Sequence, residues 1–238
     1  QRRVADVVEI GVGLVEHDQA RVAIERAGET DSLTLTTGQH AAAVADRRGV
    51  ALGHAQDHLV HAGALGGVDH LTVTRMAAVG DVPVVNMLSD HSHPLQAFAD
   101  ALTMQQCLGE LAGKTVAYVG DFNNVARSLA EISALLGMHV RFACPHGFDA
   151  PLVELERFSL LGAASVEQST RPAEAVEGAH AVHTDTWVSM GQEAEKQERL
   201  QRFEGFRVDA DMMALADAQA VFMHCLPAYR GIEVAADV

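Results

Sequence analysis

The first 70 residues of this 238-residue chain contain no aromatic residue, proline, methionine or cysteine. The 8 phenylalanines, 2 tyrosines, single tryptophan, 6 prolines, 8 methionines and 3 cysteines all lie downstream. Leu14, Val22 and Ile24 are candidates for a core there, but large side chains to fill one are missing, and no fold is assigned to residues 1–70.

Other shortages narrow the function classes. Cys107, Cys144 and Cys225 are unevenly spaced, which excludes the paired CxxC pattern of a zinc site and an even-numbered disulfide framework; reduced thiols are expected. Lys and Arg number 17 against 32 Asp and Glu, a formal net charge of −15. That charge repels a polyphosphate backbone and argues against nucleic-acid partners, and an anionic substrate would need local cations or backbone N–H donors. No stretch approaches the roughly 18 to 20 apolar residues of a membrane span. The opening Gln1-Arg2-Arg3-Val4 leads into no apolar h-region, so no secretory signal and no membrane partner are expected, and the expected location is cytoplasmic.

With 48% hydrophobic residues, the chain has the composition of a globular protein of one large or two small domains. From about residue 70 onward helix and strand signals alternate, predicting an α/β fold with a parallel sheet. The expected elements are a short helix over 72–78, a buried strand over 82–86, a helix over 94–108 that bridges two halves, a strand over 115–121 and a helix over 123–137. A strand at 139–143, a helix at 151–161, a strand at 179–183, a helix at 209–216 and a strand at 220–224 follow. Pro94 suits a first helical turn, Leu95, Phe98 and Leu102 share one face of that helix, and Val125, Leu129, Ile132 and Leu136 recur at helical spacing before Gly137 as a stop. No internal repeat or low-complexity linker interrupts the pattern.

Four runs carry chemistry. Gly120-Asp121-Phe122-Asn123-Asn124 occupies the strand-to-helix turn where a dinucleotide fold carries G-x-G-x-x-G, but the second and third glycines are absent, which weakens a dehydrogenase reading. Asn124 either caps its helix or offers its amide to a zwitterionic ligand. His91-Ser92-His93-Pro94-Leu95-Gln96 opens the bridging helix. Its HxH pair lacks an evident third ligand, so no metal is expected, while His93 suits donation to a developing oxyanion with Gln96 one turn on.

Asp185-Thr186-Trp187-Val188-Ser189-Met190-Gly191 and His224-Cys225-Leu226-Pro227 each follow an apolar strand, where α/β proteins bind ligands. Asp185 and Cys225 each have a structural explanation, a carboxylate capping a loop and a half-buried thiol, and taken alone each is more often structural than catalytic. A Cys225–His224 dyad is disfavoured because neighbouring strand residues face opposite ways. Trp187 reads as a packing residue.

In this order and at these spacings, the four runs resemble the aspartate/ornithine transcarbamoylase family over about Leu71 to Val238, and the Ser-Met-Gly run after Asp-x-Trp points to its ornithine branch. The resemblance implies two doubly wound parallel-sheet domains: residues 71–108 as the remainder of a carbamoyl-phosphate domain with the linking helix, and 109–238 as an ornithine domain. It implies transfer of a carbamoyl group from carbamoyl phosphate to L-ornithine, giving citrulline and phosphate by direct amine attack, with no cofactor. By analogy, His93 and Gln96 hold the carbamoyl group, Asn124, Asp185, Ser189 and Met190 hold the amino-acid end of ornithine, and Cys225 with Leu226 lies beside the reacting amine and the carbamoyl group. The alternative is a non-catalytic amino-acid-binding module that keeps only the ornithine site.

The family's Ser-x-Arg-Thr-Arg phosphate-binding run is missing from residues 1–70. The chain is therefore expected to be a fragment with a foreign first segment, and the family's homotrimer is not expected of it.

Overall fold

The computed structural model describes residues 69–79, 84–188 and 195–238. Helix α1 (His70–Val79) and the long helix α2 (Pro94–Leu108) precede an alternating series. That series runs β1 (Thr115–Val119), α3 (Asn124–Leu135), β2 (His139–Ala143), α4 (Leu152–Leu161), β3 (Ser165–Ser169), α5 (Pro172–Val176), β4 (Ala181–Thr184), α6 (Lys196–Arg202), α7 (Ala210–Met213) and β5 (Val221–His224).

The five strands form one parallel sheet in the order β3-β2-β1-β4-β5. Central strand β1 is buried along its whole length and divides its side chains between two cores. Val116 and Tyr118 face a cluster with Met104, Leu129, Phe142, Phe158 and Met223; Ala117 and Val119 face one with Val176, Val182, Trp187, Phe203 and Phe206. The period-2 alternation of a strand thus produces three layers, with α2, α3 and α4 over one face and α5 and α6 over the other.

The predicted α/β class, a helix over 94–108 and the strand at 139–143 stand as expected. Four readings change. Residues 84–86 of the expected 82–86 strand lie outside any strand and Val85 is exposed, while 82 and 83 lie outside the described residues. The expected 209–216 helix is confined to Ala210–Met213, capped by the Asp209 side chain accepting from Met212 N at 2.9 Å. The edge strand β3, SVEQS, was not anticipated: it is short and polar, as a sheet edge tends to be.

The fourth change is the buried face of α2. Leu95 and Leu102 are exposed, and the helix instead buries Ala97, Asp100, Ala101 and Met104. Small residues let it approach α3 closely through Ala97, Ala101 and Ile132.

Phe142 is 1% exposed and packs edge-on against Phe122 with ring centroids 5.5 Å apart. Phe142→Ala is expected to lower stability by about 3–5 kcal/mol, read as an earlier urea midpoint.

Candidate functional site

The direction in which the chain adds strands reverses between β1 and β4, so their carboxyl ends splay and open a crevice. Register pairs Val119 with Thr184 and Thr184 with His224, which sets the loops after β1, β4 and β5 side by side. Gly120 leaves β1 with φ 144°, a conformation suited to glycine.

Asp185, the first residue beyond β4, is 7% exposed and forms the centre of this edge. Its Oδ2 accepts from Asn123 Nδ2 at 2.7 Å. Its Oδ1 accepts from Thr186 N at 2.7 Å and from the Cys225 thiol at 3.0 Å. Burial, the Asp185 charge and the hydrogen bond to Asp185 all push the Cys225 thiol far above its ordinary range, so the sulfur is protonated and donates.

Asn123 was quoted with its motif but not singled out. It caps α3 by accepting from Val125 N and Ala126 N, each at 3.0 Å. The cap therefore falls one residue before Asn124, whose amide donates to Ser89 O at 2.7 Å and whose oxygen accepts from Val125 N. In this conformation Asn124 holds the 89–93 segment, and both ends of its amide are engaged within the protein.

That segment is tied to one face of α3 by three bonds, spaced as helix geometry allows: Asn124 to Ser89 O, Arg127 Nη1 to His91 O at 3.0 Å, and His93 N to Ser128 Oγ at 2.9 Å. His93 immediately precedes α2; its buried Nδ1 has no hydrogen-bond partner among the described residues. Burial lowers its pKa, partly offset by the Met87 backbone and by the charges of Asp100 and Asp185, which favours a neutral imidazole. Gln96, one turn into α2, donates from Nε2 to Asp100 Oδ1 at 2.9 Å.

Leu226 is 69% exposed, with φ 56° and a cis bond to Pro227. Ser189 and Met190 lie outside the described residues. Trp187 packs as expected, 5% exposed, with its ring 5.4 Å from Phe203.

His224 and Cys225 form no hydrogen bond with each other. His224 Nδ1 accepts from Leu226 N at 2.8 Å, and its Nε2 lies 3.4 Å from buried Glu233, which also accepts from Tyr229 N. Asp185, His224 and Cys225 each offer an atom within 4.8 Å of the others, the one trio among the described residues with metal-ligand spacing. Two of its groups are engaged locally: the thiol proton on Asp185 and His224 Nδ1 on the Leu226 N–H.

Arg199 also escaped the sequence reading. It is 7% exposed, pairs with Asp121 at 2.8 Å and donates to Trp187 O at 3.2 Å, bracing the loops after β1 and β4. Helical spacing marks only its pairing with Glu195 four residues away at 3.3 Å; the partners that brace the two loops lie 78 and 12 positions away.

Two family models cover most of the chain. The Asp/Orn binding domain of aspartate/ornithine carbamoyltransferase matches residues 112–238, and the carbamoyl-P binding domain of the same family matches residues 23–106. The second match extends upstream of Leu71, where the sequence reading began the resemblance. The ornithine carbamoyltransferase of Parasynechococcus marenigrum is 52% identical over 160 residues, covering 66% of this chain and 50% of the relative. That of Thermus thermophilus is 48% identical over 164 residues, covering 69% and 52%. The solved structure of ornithine carbamoyltransferase from Pyrococcus furiosus superposes with a TM-score of 0.67 at 43% identity, covering 72% of this chain and 56% of that one. The chain thus spans about half the length of the relatives it matches.

The suppressed thiolate at Cys225 has a direct readout. At pH 8, iodoacetamide is expected to label exposed Cys107 well before Cys225, with buried Cys144 protected, as followed by peptide mass spectrometry. Asp185→Asn removes the charge that disfavours the thiolate, and labelling of Cys225 should then accelerate.

Proposed function

The chain belongs to the aspartate/ornithine carbamoyltransferase family, and from that membership we propose that it carries the ornithine site of a carbamoyltransferase acting on carbamoyl phosphate and L-ornithine. The observation that carries this reading is the buried Asp185 carboxylate, held by Asn123, Thr186 N and a protonated Cys225 at the crevice between β1 and β4. A buried carboxylate beside a neutral thiol suits an incoming alkylammonium group, since it attracts the cation and can take its proton.

In this reading the δ-nitrogen of ornithine stands beside Asp185 and Cys225. Asn124, Ser189 and Met190 hold the α-amino and α-carboxyl groups, which requires the Asn124 amide to exchange its Ser89 bond for the ligand. His93 and Gln96 hold the carbamoyl group, and the backbone at Leu226 borders it. The amine attacks the carbonyl carbon and a nitrogen–carbon bond forms. One ammonium proton passes to Asp185 before attack; as the carbon–oxygen bond to phosphate breaks, phosphate departs with the electron pair and takes the second nitrogen proton, leaving as hydrogen phosphate.

Neutral His93 acts as a hydrogen-bond donor to the carbonyl oxygen as it gains charge. Orientation of two bound substrates accounts for a large part of such a rate, since no covalent intermediate divides the barrier.

A second reading, an ornithine-binding module without transfer, rests on the absence of a Ser-x-Arg-Thr-Arg run from the sequence. Calorimetry separates the two: a transferase binds both carbamoyl phosphate and L-norvaline, a nonreactive ornithine analogue, whereas the module binds only norvaline. Failure to bind norvaline overturns both.

For the transferase, His93→Ala is expected to lower kcat by about 10²–10³-fold in a citrulline assay, the cost of losing one oxyanion donor. Asp185→Ala should weaken binding of L-ornithine while norvaline, which lacks the δ-amine, stays bound, in either case.

A further inference from the structure

One layer beneath the crevice lies a buried ionisable pair that the proposed chemistry leaves unused. His183, on β4, is fully buried, and its Nε2 lies 3.3 Å from Oδ2 of Asp100 on α2, which is 4% exposed. Among the described residues neither imidazole nitrogen nor that carboxylate oxygen has a hydrogen-bond partner, so the two groups face each other without a well-aligned hydrogen bond. The other Asp100 oxygen accepts from Gln96 Nε2 at 2.9 Å.

The imidazole also stacks on Tyr118, with ring centroids 5.7 Å apart and planes 18° off parallel. The Tyr118 hydroxyl donates in turn to Asn123 Oδ1 at 3.3 Å.

A carboxylate taken out of water requires a counter-charge or donors, and a buried one missing them is strongly unfavourable. Asp100 has two such neighbours among the described residues, the Gln96 amide and the His183 ring. Sheet and stacking fix the ring; the ring fixes one carboxylate oxygen; the carboxylate then dictates on which side of α2 the Gln96 amide presents its N–H₂ and its carbonyl oxygen.

We propose that His183 is a positioning residue which, acting through Asp100, sets the orientation of the Gln96 amide for the carbamoyl end of the substrate. The substrate side of this statement rests on the reading that Gln96 holds the carbamoyl group, whereas the linkage itself does not.

The linkage is tested in the chain as it stands by nitrogen–proton correlation spectra of the Gln96 side-chain amide, assigned by its disappearance in Gln96→Ala. His183→Phe keeps the stacking on Tyr118 but removes the partner of Asp100, and the Gln96 resonances are expected to shift or broaden. His183→Gln restores an N–H near the position of Nε2 and is expected to return them toward wild type. His183→Leu serves as a second apolar variant if the phenylalanine one does not fold. A Gln96 amide unmoved in a folded apolar variant overturns the proposal, because a purely structural role would lower the melting temperature without touching that signal.

Steady-state assays read the substrate side. In His183→Phe the KM for carbamoyl phosphate should rise on the order of tenfold, the scale of one hydrogen bond to a charged group, with the KM for ornithine unchanged. If Gln96→Ala handles carbamoyl phosphate like wild type while the amide still moves in His183→Phe, the assignment of Gln96 to the carbamoyl group fails and the linkage from His183 to Gln96 stands.

Discussion

The Asp185 carboxylate is the acceptor on which the geometry of the crevice depends. It takes hydrogen bonds from the loop after β1 through Asn123, from its own loop through Thr186 N, and from the loop after β5 through Cys225. Parallel strands have no hairpins to join their carboxyl ends, so those ends must be tied by side chains. Asn123 is suited to this because its oxygen caps α3 while its nitrogen reaches Asp185. An aspartate would cap equally well but would set a second carboxylate against the first.

Carboxylates dominate the buried charge at this edge. Asp100 and Asp185 both disfavour ionisation of Cys225, and Asp121 has its pKa raised by burial despite its bond to Arg199. Arg199, resting 5.0 Å over the Phe148 ring, is the cation that holds Asp121 in place. An edge of this sign favours a ligand that brings an ammonium group and disfavours polyanions.

Much of this was legible in the sequence because it depends on local patterns. The strand VAYVG followed by an apolar helical repeat fixes β1 and α3, and the two strand-end runs place Asp185 and Cys225 on neighbouring loops. What was illegible depends on contacts between distant residues. Helical spacing put 95, 98 and 102 on one face of α2 but could not show which face is buried, because the helix is buried by close approach of alanines, not by leucines. The cap fell on Asn123 rather than Asn124 because Asp185 orients its amide from 62 positions away. His183 within an apolar strand and Asp100 in a helix carry no local signal that each is the other's partner.

The seam between α2 and the sheet shows why such a pair is worth burying. Exchanging a buried ion pair for apolar residues of similar volume is often neutral or stabilising, so stability alone gives little reason for it. Yet α2 carries Gln96 and begins immediately after His93, and each residue of rotation about its axis moves the Gln96 side chain by about 100°. A seam made only of Ala97, Ala101 and Met104 offers small, similar surfaces that several settings of the helix can satisfy. The Asp100 carboxylate facing the His183 ring on β4 favours one setting over its neighbours, and the His93 N–H on Ser128 Oγ holds the chain where the helix starts. One polar contact within the helix and one at its start together constrain its rotation and translation, which an apolar face does not achieve by itself.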